Sequence, residues 1–205
     1  MNRIVEIRPR RKKLSLLVRE DGETALLDST VLQENGVRPG QELPDERLQE
    51  LSDLSQQRRA REKALYLLEY RSHSKKELED KISRVTTREA AQEAADRMEE
   101  LGLIDDEAYA ADCARELVFR KGFSYSRARF ELQRKGIDRE TAEYALDELH
   151  ADWDDILRTL IQRRYSHCLQ NEKDRRRVVN ALLRLGYRYD EIRPLLREFG
   201  PMEEE

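Results

Sequence analysis

Three acids stand side by side at Asp105, Asp106 and Glu107, inside the stretch GLIDDEAYA, and three more, Asp152, Asp154 and Asp155, surround Trp153. Neighbouring carboxylates can act as a general acid and base, or ligate a metal. The same residues are also what a helix start collects, because carboxylates are stabilised by the positive end of the helix dipole. Nothing around them favours the catalytic reading. His73, His150 and His167 are scattered, and Cys113 and Cys168 lie far apart without CxxC spacing, so neither a zinc site nor a disulfide framework is expected. No phosphate loop, nucleophile elbow, HExxH helix or dinucleotide-binding turn occurs. The expectation is a protein with no catalytic residues, no metal and no cofactor.

A second set of residues has a chemistry the local structure does not need. Ser74 precedes Lys75 and Lys76, Ser126 precedes Arg127 and Arg129, and Asp174 precedes Arg175, Arg176 and Arg177. Read as helix caps, these residues put cations at three helix starts, where each cation opposes the dipole at a cost of about 0.3–1 kcal/mol. Local rules tend to be broken at functional sites. Free backbone N–H groups, a positive dipole end and two or three cations form an anion-binding spot, suited to nucleic-acid phosphates or a partner's carboxylates. Arg134, Lys135 and Arg184 extend the same basic helices. The alternative is a solvated face on which the cations pair with Glu77, Glu131 or Glu172, which contributes little either way. RPRRKK (8–13) is a further basic cluster, equally readable as a solvated turn.

These positions need elements to hold them. Of the 205 residues 40% are charged and 38% hydrophobic, which suits small helical units with narrow apolar stripes better than one thick core. Net charge is −4, unevenly spread, with the basic stretch 152–199 just before an acidic end. Residues 1–44 read as a β-rich subdomain. A short β run at Ile4–Ile7 is followed by a hairpin turning at Asp21-Gly22, a short helix stopped by Gly36, and a last strand in RPGQEL. Pro44 starts a connecting helix over 45–57.

From there the pattern is helical and it repeats. TREAAQEAAD (87–96) aligns with DRETAEYALD (138–147), and RKGIDRETAEYAL (134–146) with RLGYRYDEIRPLL (184–196). Self-similarity at about fifty residues marks an array of supersecondary units. Three units of three helices are expected, at 58–104, 105–151 and 152–199, with an acidic tail at 200–205. In the middle unit Tyr109, Cys113 and Leu117, with Ala110, Ala114 and Val118, form one apolar helix face. Pro194 is placed early in the last helix, where its missing N–H costs least. The joint GLIDDEAYA then reads as a module boundary. Gly102 ends one unit, Leu103 and Ile104 make apolar contacts across the boundary, and Asp105 or Asp106 caps the next helix.

GLIDDEAYA, SKKELEDKI after an arginine-rich turn, and ELQRKGID occur in an order that resembles the RecX family, bacterial regulators of the RecA recombinase. The resemblance covers roughly 58–199. Gly102, Asp106, Tyr109 and Ala110 match the family's joint, with Leu103 replacing the usual aromatic, and Glu131, Leu132, Lys135, Gly136 and Ile137 match its ELxxKGI element. The first unit departs from the pattern at the turn beginning at Ile82, and the third is the most divergent. The N-terminal piece resembles extensions of some members only. The resemblance implies a mainly α fold of tandem three-helix repeats in an elongated, curved array. Such an array lies along the RecA filament on single-stranded DNA and damps its ATPase, coprotease and strand-exchange activities in recombination, repair and the SOS response. Expected partners are that filament and, weakly or within it, single-stranded DNA. The chain lacks a signal-peptide-like start or a membrane-spanning run, so a cytoplasmic protein is expected. A monomer is the expected oligomeric state. The competing reading is a direct DNA-binding protein with tandem helix-turn-helix-like modules, and a third is a plain helical scaffold.

Overall fold

The computed structural model describes residues 2–11, 13–169 and 171–199; the acidic tail lies outside them. The chain is mainly helical with a small antiparallel sheet at its N-terminus, and it divides into two compact units, Met1–Ile104 and Asp105–Glu205.

The first unit opens with strands β1 (Asn2–Pro9), β2 (Leu14–Arg19), β3 (Thr24–Asp28) and, after a short helix α1 (Ser29–Glu34), β4 (Glu42–Leu43). They pair in the order β3-β2-β1-β4. The β2–β3 hairpin closes at the Asp21-Gly22 turn, and the Asp28 carboxylate caps α1 by accepting from Thr30 and Val31 N–H. Alternation on β2 turns Ser15, Leu17 and Arg19 inward, and the core contains Ile4, Leu17, Leu27, Val31, Leu32, Leu43 and Leu51. Arg19 is a buried cation that alternation alone would not place there. Its two terminal nitrogens pair with Asp45 at 2.6 Å and Glu23 at 3.2 Å, while its buried Nε has no hydrogen-bond partner.

Helix α2 runs unbroken over Asp45–Tyr70. The connecting helix expected over 45–57 and the first helix of the unit expected from 58 are therefore one element. No glycine, proline or satisfied cap interrupts it, because Ser55 is occupied elsewhere: its buried hydroxyl accepts the Asp28 N–H at 2.7 Å. The N-terminal half of α2 covers the sheet through Leu51. Ala60 and Ala64 in its C-terminal half pack with α3 (Lys75–Ile82) and α4 (Arg88–Glu100) around Leu78, Ile82, Ala91, Ala94 and Met98.

The second unit holds two further three-helix groups. The first comprises α5 (Asp106–Arg115), α6 (Tyr125–Arg134) and α7 (Arg139–Asp147). The expected stripe of Tyr109, Ala110, Ala114, Leu117 and Val118 is buried with Leu132, Ile137 and Leu146. The second comprises α8 (Trp153–Arg164), α9 (Glu172–Arg184) and α10 (Tyr189–Glu198), around Leu157, Ile161, Val178, Leu182, Tyr187 and Ile192. The end of α5 widens into a π-turn over Glu116–Arg120. The two groups are tied where the Ser124 N–H donates to the Leu185 carbonyl at 3.0 Å and where the Arg164 guanidinium donates to the Arg120 carbonyl at 2.8 Å. At the first of these, the carbonyl end of α9 meets the amide end of α6, and the opposite dipole ends satisfy each other.

Three expectations shift. Helix α6 is capped by Ser124, not Ser126, with the Ser124 hydroxyl accepting from the Arg127 N–H. Helix α9 is capped by Asn171, not Asp174, whose N–H donates to the Asn171 side chain at 2.9 Å. Pro194 is the sixth residue of α10, beyond the first turn, so it does remove an intrahelical hydrogen bond.

Candidate functional site

The expected helix-start cations divide by environment once the caps are known. In the first unit the cap is where the sequence places it. Ser74 accepts the Glu77 N–H at 3.1 Å, and Lys75 and Lys76 are the first two residues of α3. Both are held by acids. Lys75 Nζ lies 2.6 Å from Asp96 and from Glu99, hydrogen bonds that raise its pKa, and Lys76 lies 3.1 Å from Asp80.

Directly before this helix start sits a network that sequence reasoning missed. His73 is only 3% exposed. Its Nδ1 is 2.8 Å from the Arg71 carbonyl and its Nε2 is 2.8 Å from Lys81 Nζ. An ammonium can only donate, so Nε2 must be the acceptor and Nδ1 carries the proton. Burial pushes the imidazole below its ordinary 6.5, against the Arg71 carbonyl, which favours the cation. Burial raises the neighbouring Glu77 carboxyl, but hydrogen bonds from Arg71 and Lys81 outweigh it and bring the group down to about 2. Both shifts are depressions, so the stability they represent is full above the unfolded values and lost as pH falls. The thermal midpoint is expected to decline as pH drops below 6.5 and again through the acid range below 4.5. Replacing His73 with Gln should abolish the first decline, and a pH series of melting curves measures both.

In the second unit, Arg127 is the third residue of α6, still within its first turn. Its guanidinium lies 5.6 Å from the rings of both Phe123 and Phe130 and 2.6 Å from Glu131. Arg134 reaches the same carboxylate at 3.2 Å. Arg129 pairs with Glu143 of α7 at 2.6 Å. Lys135 donates to the Tyr109 hydroxyl at 3.1 Å, tying the family-like joint to the ELxxKGI element. The Phe123–Arg127–Phe130 stack escaped sequence reasoning; its i, i+4, i+7 spacing is the signal that could have found it, although Phe123 lies before the helix begins.

Helix α9 departs from the expectation. With Asn171 as cap, its first turn contains Glu172 and Asp174, and Arg175, Arg176 and Arg177 fall in the second turn, where the dipole conflict has faded. Arg176 pairs with Glu172 and Arg177 with Asp174, the carboxylate pairing weighed as the alternative. Arg175 is 8% exposed and its Nε donates to the Leu169 carbonyl at 3.0 Å. It holds the loop before α9 and is not a surface contact. Arg184 is exposed in the last turn, where a cation suits the dipole, and the turn that follows it rests against Arg127.

The acids resolve as structural. Asp105 caps α5, accepting from the Ala108 N–H at 2.9 Å, with Asp106 and Glu107 in the first turn. Asp152 likewise accepts from Asp154 and Asp155 N–H. Gly102 adopts φ 69° at the end of α4. Ile104 is buried within the first unit's own core, whereas Leu103 is 49% exposed and provides no buried apolar contact. Among the described residues no three His, Cys, Asp or Glu side chains are grouped to hold a metal, both cysteines are free, and no helix is long and apolar enough to cross a membrane.

Comparison with known proteins gives this arrangement a lineage. Residues 105–146 match the family model "RecX, second three-helix domain". The chain is 35% identical over 138 residues to the regulatory protein RecX of Stenotrophomonas maltophilia (strain R551-3), covering 66% of this chain and 84% of that protein. It is 32% identical over 149 residues to that of Pectobacterium atrosepticum, covering 72% and 90%. A crystal structure of regulatory protein RecX aligns with a TM-score of 0.60 at 22% identity, over 95% of this chain and 98% of that one. The RecX of Lactobacillus salivarius aligns with a TM-score of 0.55 at 28% identity, over 70% and 96%. The chain belongs to the RecX family of regulatory proteins.

Proposed function

We propose that this protein binds the RecA filament on single-stranded DNA and restrains it, lowering ATP hydrolysis, coprotease action and strand exchange. The reading makes it a cytoplasmic monomer that acts by binding, not catalysis, with three modules at 58–104, 105–151 and 152–199. The observation that carries it is the match to RecX regulators over 84–90% of their length. The cationic starts of α3 and α6 supply the anion-seeking contacts. Their present carboxylate partners do not preclude this, because exchanging one exposed ion pair for another changes the free energy by only about 0–1 kcal/mol.

Co-sedimentation with RecA filaments tests the reading. The wild-type chain should pellet with RecA on single-stranded DNA, and Lys75→Glu, Lys76→Glu and Arg127→Glu together should weaken binding about tenfold or more. Failure of the wild type to pellet would remove the proposal. Equal binding by the variant would remove the assigned residues while leaving the partner.

The second reading, direct DNA binding through α6 and α9, draws on their exposed cations Arg134, Arg176, Arg177 and Arg184. It predicts duplex binding without RecA and a steep loss of affinity with salt. The withdrawal of Arg175 into the interior and the net charge of −4 weigh against it.

A further inference from the structure

A cavity of about 250 Å³ opens where the starts of α6, α8 and α10 converge in the second unit. Its walls include Tyr125, Trp153 and Tyr187, and its charged lining residues are Asp154, Glu191 and Arg188. Tyr125 and Trp153 pack edge to face, with ring centroids 5.4 Å apart. Tyr187 follows Gly186 as Ile137 follows Gly136, and each is buried in the core of its own three-helix group. The difference is a hydroxyl. At Tyr187, which is 4% exposed, that hydroxyl is buried and has no hydrogen-bond partner. An aliphatic side chain such as that of Ile137 meets no such cost, so the tyrosine calls for something to bond. Burial, reinforced by the Glu191 charge, pushes it up to about 12, so it stays a neutral hydroxyl.

The charges name the guest. Among the described residues no ion pair or side-chain hydrogen bond engages the Asp154 carboxylate. Glu191 spends one oxygen on the Arg188 N–H, and Arg188 itself pairs with Asp190. Arg188 also lines the cavity, but Asp190 offsets its charge, so the two acids leave the lining unfavourable to an anion even beside three positive helix ends. Aromatic walls, carboxylates and an unpartnered hydroxyl suit a cation that is weakly hydrated, flat and rich in donors, which describes guanidinium better than ammonium. The volume lies below that of an ordinary small-molecule site and suits a single side chain. We propose that this cavity receives an arginine side chain of a partner protein. The assignment does not require the partner to be the RecA filament.

Trp153 is the sole tryptophan of the chain and lines the cavity, so its emission reports occupancy. The full chain is titrated with N-acetyl-arginine methylamide, the lysine analogue and the neutral citrulline analogue. A saturable change with the arginine probe, at least tenfold weaker with either analogue, is expected. Tyr187→Phe and Asp154→Asn should each weaken it about tenfold, and Tyr187→Phe should melt no lower than wild type because it deletes an unsatisfied buried group. A linear response, equal responses to all three probes, or undiminished binding by Tyr187→Phe would overturn the proposal.

Discussion

Gly186→Ala is expected to be among the most damaging single substitutions in the second unit, although it adds only one methyl group. At φ 92° a side chain is strained, costing about 1–2 kcal/mol. The new Cβ would also lie 2.5 Å from Arg127 Cβ and 2.6 Å from Ser124 Oγ. Those atoms belong to the capped start of α6, and overpacking at so constrained a site adds about 1–3 kcal/mol. Relief requires separating the α9–α10 turn from α6, which breaks the Ser124–Leu185 hydrogen bond. Denaturant titration should show a loss of about 2–5 kcal/mol, the sum of these two effects, and Trp153 emission should change because its partner Tyr125 begins the same helix. Gly102→Ala is the control. It shares the positive φ, but its Cβ would have no neighbour within 4 Å, so only the backbone cost should appear. Equal losses for the two would show that the close approach at Gly186 carries no weight.

The arginine triplet of α9 supplies the second large effect, because three adjacent residues of one type should behave differently. Arg175→Glu places a carboxylate in a buried position and leaves the Leu169 carbonyl without its donor. A loss of about 3–5 kcal/mol is expected, the cost of an uncompensated buried charge. Arg176→Glu with Arg177→Glu meets solvent on both residues and should change stability by less than about 1 kcal/mol. If all three reversals are equally mild, Arg175 is a surface residue after all. Any effect of the triple reversal on partner binding must therefore be read from Arg176 and Arg177 alone.

Much of the fold was legible because its signals are local. Asp21-Gly22 between two apolar runs sets a hairpin, Ser74, Asp105 and Asp138 cap helices where their spacing places them, and the glycines at 102, 122, 136 and 186 follow the helices they end. The shifted caps show where local reasoning stops. Ser124 and Ser126 have the same chemistry, and the choice falls to Ser124 because its amide also meets the distant Leu185 carbonyl. The unbroken α2 was hidden by a change in composition near residue 57 that is not a change in conformation. At the candidate site, sequence identified the cations but not their surroundings. The burial of Arg175 and the His73–Lys81 contact depend on residues brought together by folding.

The central claim is restraint of the RecA filament, and RecA-dependent ATP hydrolysis on single-stranded DNA tests it most directly. Titrating this protein from substoichiometric to equimolar amounts should lower the hydrolysis rate progressively and shorten the filaments. Unchanged hydrolysis and filament length at equimolar protein would contradict the account.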